Sequence, residues 1–436
     1  MKKILVILLL IVTCPVITPG IEDVKKVKKV YLNEAVEAAV ANNIDLKAAQ
    51  IEVEIAKNNI KTANRLQNPS VDAFYFLGAS GRSEPRQVGV SETVEVLKRS
   101  ARKNLAASNL ALVEKNVGYT KFDLMMDVRE AYINLVAQKS ILDTLEQQKE
   151  LQEELLDIAE QRTKSNEVPE IDVLQAEIAL NQLITQVNTA KVNVNTALAD
   201  FNKIINDPNK VIYDSKDRLF TEENNYVEML TPAPTYRFPD FKIIVEKALE
   251  NRYDVKIAKQ EIDIAEKNMT VVARQRIPDI SLSGGYAYKP GAYSDTGNFN
   301  NGAYAGASLV NIPLFYNYSP EIQNAALKVQ QAELKYQSVQ NKAIKDVSAA
   351  YERFLTAGKN LNYYEEKILK SSEKMIDMSM DSYEHGKSDI TALIVMKQGY
   401  RSIIVGYTYA LSEYYNSWTD FLRETNDEDF EFPENI

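Results

Sequence analysis

Histidine and cysteine most often carry nucleophilic, acid–base and metal chemistry. Each occurs once in 436 residues, as His385 and Cys14. A catalytic triad or a Cys/His metal site needs further partners of the same kind, and the sequence does not supply them. It also lacks a Gly-rich phosphate loop and a nucleophile elbow. Carboxylates are plentiful, with 61 Asp and Glu against 51 Lys and Arg. Close pairs such as Glu153 and Asp157 stand one helical turn apart in a run dominated by charge, the pattern of a solvated helix face. No catalytic residue, cofactor or metal site is therefore expected. What remains is the chemistry of shape, surface and charge, so the elements that set the shape come next.

Hydrophobic residues make up 45% and charged residues 26%, the balance of a folding chain. The length alone suggests about three domains. A single cysteine excludes an intrachain disulfide. Lys2 and Lys3 precede the apolar run from Ile4 to Val12, which reads as a secretory leader over residues 1–20. Cys14 follows Ile11, Val12 and Thr13, a stretch that resembles a bacterial lipoprotein cleavage box. Cys14 is then either a lipidated N-terminus or part of a discarded peptide. Removing Lys2 and Lys3 makes the formal charge of −10 more negative by two. An acidic exported chain is not expected to bind nucleic acid, because phosphate binding needs a basic surface. Lys25, Lys26, Lys28 and Lys29 read as a solvated N-terminal segment.

The chain is two copies of one unit. Val36 to Lys47 aligns without a gap on Val245 to Lys256, and in the same register Glu52 meets Glu261, Arg65 meets Arg274 and Pro69 meets Pro278. Further on, Ala131-Tyr132 pairs with Ala350-Tyr351 at a larger offset, as insertions between them require. The units occupy residues 30–206 and 240–423, separated by a Pro-rich irregular linker over 207–239 and followed by an acidic tail over 424–436. Each is far longer than the ~20–45 residues of a solenoid repeat.

Each unit reads helix, strand, strand, long helix, turn, long helix. The first helices span about 33–66 and 240–276 and stop before Pro69 and Pro278. Two alternating or apolar segments follow in each half, at Val71–Leu77 and Val88–Val96, then at Ile280–Tyr288 and Tyr304–Ile312. In the second of these, Glu92 alone breaks the alternation. The links from Ser80 to Arg86 and from Lys289 to Asn301 have the composition of hairpin loops.

The long helices carry a heptad. Ala343, Val347, Ala350, Phe354, Ala357, Leu361, Tyr364 and Ile368 alternate by four and three, and Met375 and Met378 continue that phase. Leu124, Val128, Ala131, Leu135, Leu142, Leu145, Leu156 and Ala159 repeat the pattern in the first half. A helix over 98–164 would be roughly 100 Å long, which excludes a compact globule. The turns fall at Lys164–Pro169 and Tyr383–Asp389, where Asn166 and Gly386 are the residue types that close a helix in the left-handed conformation.

After residue 13 no apolar run reaches the ~20 residues of a membrane-spanning helix. Four strands cannot close a barrel, yet a bilayer admits only helices and closed barrels. Strands of about ten residues match a tilted span, so several chains would have to pool them. Three chains would give twelve strands, within the range of outer-membrane barrels. The other class left open is an exported coiled-coil scaffold without a pore.

The sequence resembles the TolC-like outer-membrane efflux proteins over about 30–423. The resemblance rests on the duplication, the paired strand insertions and the tip motifs. Arg162, Asp172, Val173, Leu174, Ala176 and Glu177 match the family's first tip, with Asn166 where Gly is usual; Tyr383 and Gly386 match the second, with Ala392 at its acidic position. Ser91, Val94, Glu95, Lys98 and Arg99 are similar to a stretch common in its cation-efflux branch, with Glu92 in place of Gln. The implied fold is mainly α with a small β part. Duplicated long coiled-coil helices with two β-hairpins trimerise into a 12-stranded β-barrel plus an α-helical barrel. The implied function is an outer-membrane channel-tunnel with helices in the periplasm, carrying substrates from an inner-membrane pump. A periplasmic adaptor would touch the tips through Ser165, Asn166, Glu167, His385, Gly386 and Lys387. Tyr383, Glu384, Asp389, Arg162 and Asp172 would gate or tune the pore. With Ala392 at the acidic position, Asp389 and then Glu384 are the nearest substitutes for a cation-attracting carboxylate ring.

Overall fold

The computed structural model describes residues 27–75, 86–217, 240–288 and 302–427. The leader with Cys14, both hairpin loops, most of the inter-repeat linker and the end of the acidic tail lie outside the described residues. The elements follow in chain order: β1 (Val27–Val30), α1 (Leu32–Asn42), α2 (Ile44–Ala63), β2 (Ser70–Tyr75), β3 (Arg86–Val94), α3 (Lys98–Lys164), α4 (Glu170–Ile205) and β4 (Ile212–Ser215). The second half continues with α5 (Phe241–Asn251), α6 (Tyr253–Ala273), β5 (Asp279–Tyr288), β6 (Gly302–Val310), α7 (Ser319–Tyr363), α8 (Leu369–Glu384) and α9 (Ile390–Thr425). α3 has 67 residues, and its bounds are those read from the sequence.

The first helix of each unit, expected unbroken, is split. At Asn43 and Arg252 the backbone leaves the helix with nearly the same geometry, φ −54° with ψ 125° and φ −54° with ψ 129°. The Asn43 carboxamide oxygen caps α2 by accepting from the Leu46 N–H at 2.8 Å, and its amide donates to the Ile204 carbonyl at the end of α4. Arg252 makes the same corner differently, through guanidinium bonds to Asp254 and Glu424. The periodicity runs on through both corners, so only the capping residue marks the first.

The core is thickest at the middle of the long helices. Phe354 stacks on Tyr414 at 5.0 Å between ring centroids and tilts against Trp418 at 5.1 Å, and Phe122, Tyr132 and Phe201 close the other side. Over this waist β1 and β4 pair in parallel, Val27 opposite Ile212 and Val30 opposite Ser215. Tyr132 donates to the Val30 carbonyl at 3.1 Å and to the Asp217 carboxylate, tying the strand pair to α3. Thus 27–30 is not merely a solvated basic segment, and 212–215 is strand, not irregular linker. Four residues are too few for alternation to register.

The heptad holds through Ala343, Val347, Ala350, Phe354, Ala357 and Leu361, all buried, and then changes phase. One π-helical turn, Tyr364–Ile368, inserts a residue. Below it Ser372 and Tyr383 are buried while Met378 is 62% exposed, so the expected continuation through Met375 and Met378 is off by one position. A residue added to the helix rotates everything after it by about 100°. Gly406 on α9 faces the bulge, and a Cβ there would meet the Tyr364 hydroxyl at 2.9 Å.

The second sheet is antiparallel in the order β2-β3-β5-β6. The strands start and stop within about two residues of the expected positions, and 76–77 lie outside the described residues. In antiparallel register, opposed residues share a face. Val71, Val90 and Gly284 therefore align with Val88, Tyr286, Leu282, Ala307, Ile280 and Leu309 on one side. Between Val88 and Val94 Glu92 is that side's one charged group, and Arg86 stands on the same side at the far end of β3. The other side carries Asp72, Ser91, Thr93, Ser281, Ser283 and Ser308, and there Tyr304 lies over Gly89 and Gly285, where any Cβ would collide with its ring. At the junction of sheet and helices the buried Lys98 ammonium meets Asp279 at 2.9 Å, and Asn311 donates to the same carboxylate oxygen at 2.9 Å.

Deleting Glu366 should restore uninterrupted α-helix and rotate α8 by about one position. The expected result is exposure of Tyr383 and faster protease cleavage at the α8–α9 turn. Unchanged cleavage would show that the bulge does not set the register of the tip.

Candidate functional site: the helix tips

Both long helix pairs turn with the same backbone bonds. In the first, the Asn166 N–H donates to the Thr163 carbonyl at 3.0 Å and the Glu167 N–H to the Arg162 carbonyl at 2.9 Å. In the second, the Gly386 N–H donates to Tyr383 at 3.0 Å and the Lys387 N–H to Ser382 at 2.8 Å. This is the Schellman closure, which needs a left-handed residue at its corner. Asn166 has φ 58° and Gly386 φ 68°. Asparagine is one of the few residues besides glycine that tolerates this region, so the two tips share a shape despite different residues.

The tips are packed against one another. Leu155, Ala159, Ala176 and Ala179 of the first pair form one buried cluster with Tyr383, Ile390, Leu393 and Ile394 of the second. The guanidinium of Arg162 lies 5.3 Å from the centre of the Tyr383 ring, a cation–π contact between the two halves, while its Nε reaches Glu167 at 3.3 Å. Tyr383 is buried, and its hydroxyl has no hydrogen-bond partner among the described residues. Thr391 donates to Gln175 at 2.7 Å and Lys397 to the Leu151 carbonyl at 3.3 Å, further stitches across the halves.

Asp389 is exposed, and its carboxylate accepts from the Ala392 N–H at 2.8 Å, so it caps α9. Glu384 is exposed, and Asp172 is half-buried in the first turn of α4. Ser165, Asn166, Glu167, His385, Gly386 and Lys387 are all exposed and form the outermost points of the two turns. His385 Nδ1 lies 2.8 Å from the Asp381 carbonyl. That bond and the Asp381 carboxylate raise its pKa above the ordinary 6.5. No group of three His, Cys, Asp or Glu suited to a metal occurs among the described residues. The geometry thus joins Arg162 to Tyr383 and leaves Asp389, Glu384 and the six turn residues free to face solvent or a partner.

The family model described as outer membrane efflux protein matches residues 35–207 and 244–395, both repeats. The chain belongs to this family. Its fold is that of TolC-like channels. The CmeC outer membrane channel of Campylobacter jejuni is 18% identical, with a TM-score of 0.71 over 90% of this chain and 85% of that one. VceC from Vibrio cholerae gives 14% and 0.70 over 90% and 95%, and the open state of MtrE from Neisseria gonorrhoeae gives 16% and 0.69 over 91% and 88%. No curated protein matches the sequence significantly.

In this outer membrane efflux protein two contacts, one at the tips and one at the sheet junction, escape sequence reasoning. One is the Arg162–Tyr383 contact, since the residues are far apart in the chain and each is found separately by its tip motif. The other is the Lys98–Asp279 pair, buried on both sides, which no local pattern signals.

Two measurements follow from the tip. Tyr383→Phe removes only an unpaired hydroxyl and should leave the unfolding temperature equal or raised. Tyr383→Ala should cost about 3–5 kcal/mol by emptying the cluster. A loss with Phe as large as with Ala would mean that the hydroxyl holds the tip. The His385 ring proton, followed by NMR, should titrate with a midpoint above 6.5. Asp381→Asn should lower that midpoint without restoring it fully, because the backbone carbonyl stays.

Proposed function

We propose that three copies of the chain form an outer-membrane channel-tunnel, working with a periplasmic adaptor and an inner-membrane pump to export substrate. The observation that carries this reading is the four-stranded sheet. It has one apolar face, one hydroxyl-rich face and, among the described residues, outer edges on β2 and β6 that pair with nothing. Unpaired edges in hydrocarbon are untenable, so β6 of one copy must pair with β2 of the next until the ring closes. Three four-stranded sheets make a twelve-stranded barrel, apolar outside and polar within. No described helix is long and apolar enough to cross a membrane, which leaves the strands to do so. A pore-less scaffold gives no reason for a two-faced sheet with open edges.

The helices would then extend α3, α4, α7, α8 and α9 through the periplasm. Adaptor contact falls to the exposed turn residues Ser165, Asn166, Glu167, His385, Gly386 and Lys387. Arg162 and Tyr383 hold the two pairs of a protomer together at the mouth, and Asp172 adds a carboxylate in the first turn of α4. Asp389 and Glu384 supply negative charge there, and three copies of each would attract cations into the pore.

The test is conductance of the purified protein in a planar bilayer, with cross-linking in intact cells to count chains. Heat-sensitive trimers in outer-membrane fractions and stable channels are expected. Asp389→Asn keeps the helix cap and removes the charge, so it should weaken block by multivalent cations without lowering stability. Monomers that conduct nothing would overturn the reading, and unchanged block would remove Asp389 from the pore lining.

A further inference from the structure

Near the tip a cavity of about 450 Å³ opens between α8 and α9. Three methionines line it: Met375 and Met378, one helical turn apart on α8, and Met396 facing them from α9. Met375 and Met396 are half-buried, and Met378 is 62% exposed. The protein has nine methionines, and four fall in the short stretches Met375 to Met380 and Met396. Met380, the fourth, packs instead against the buried tip cluster.

Packing within the chain does not account for this arrangement. The π-helical turn rotates α8 so that Ser372 and Tyr383 take the seam, leaving Met375 and Met378 beside it rather than in it. Residues one turn apart on a helix lie side by side, which brings two flexible thioethers together, and a third reaches in from α9. No carboxylate lines the cavity, so a hard cation finds no anionic oxygen there. Thioether sulfur is a soft, neutral donor that selects Cu(I) over harder ions. The Lys374 ammonium at the rim sits on a flexible four-carbon stem that lets it stay in water. The Ser379 hydroxyl donates to the Met375 carbonyl at 2.8 Å, and its neutral oxygen is a hard donor that a soft cation does not prefer.

We infer that Met375, Met378 and Met396 form a binding site for a soft monovalent cation, Cu(I) or its redox-stable counterpart Ag(I), near the tip of the α8–α9 pair, one site per chain. The inference rests on the cavity and not on the channel reading, because binding is measured on the purified chain without conduction.

The test is Ag(I) binding by calorimetry to the full chain carrying Cys14→Ser, so that no thiolate competes. Replacing Met375, Met378 and Met396 together with Leu conserves volume and should preserve the fold. The triple variant is expected to lose one Ag(I) equivalent per chain, and Met378→Leu alone, at an exposed position, should weaken binding. Bound Ag(I) should also slow peroxide oxidation of the three methionines to sulfoxides, read by mass spectrometry against Met269 on α6. The same stoichiometry in the triple variant, or no protection at these three positions, would overturn the site.

Discussion

A helix of 67 residues must bury an apolar stripe along its whole length, and no other described helix is long enough to cover it. The architecture follows from that constraint. α2 and α6 cover the sheet-proximal part of α3, α9 covers the middle and α4 the part toward the tip. At the waist aromatic rings join the aliphatic core, with Tyr132 of α3 against Phe201 at 5.8 Å and Phe354 of α7 among Tyr414, Trp418 and Phe421. Large rings reach across the wider gap where several helices and the β1–β4 pair converge. Arg423 anchors the same region by bonding Asp123, Asp127 and Glu130, three acids on successive turns of α3.

The duplicated halves keep the backbone and change the side chains that enforce it. Asn43 and Arg252 make the same corner, one with a capping amide and the other with a guanidinium network. Asn166 and Gly386 make the same left-handed closure. The halves part company at the π-helical turn, which has no counterpart in α3. Without it, the phase that buries Phe354 would have carried Met378 to the seam. With it, Tyr383 arrives there and meets Arg162.

Where the sequence speaks through repetition it is legible. The α3 bounds, the two tips and the four strands all come from periodicity, from breakers, or from the match of one half to the other. It fails where a single residue acts without a pattern. The helix runs on at Asn43 as far as its apolar spacing tells, and the break is made by one side chain folding back on Leu46. The inserted residue at Tyr364–Ile368 leaves no mark on composition. β1 and β4 are four residues each, and their pairing depends on a waist that exists only after the helices pack. Of the candidate site, the turn residues are visible and the pairing of Arg162 with Tyr383 is not.

The sheet raises a harder question, since one face is apolar yet carries Glu92. β3 runs toward the helices, and Glu92 is two residues from its end at Val94. At about 3.3 Å per residue its carboxylate starts some 7 Å from the strand end, within reach of water at the boundary. The surface changes character at that same level. Leu314 and Phe315 stand fully outward at 76% and 103% exposure, beside Tyr316 and exposed Arg276, whose Nε donates to the Asn317 carbonyl at 2.6 Å. Aromatic rings with guanidinium groups next to an apolar band are what a headgroup boundary favours. In the proposed barrel a carboxylate at that edge is tolerated, whereas the same charge near Val88 would face hydrocarbon at a cost that grows with depth. The departure from alternation at Glu92 therefore falls at the helix-side end of the apolar face and does not contradict it.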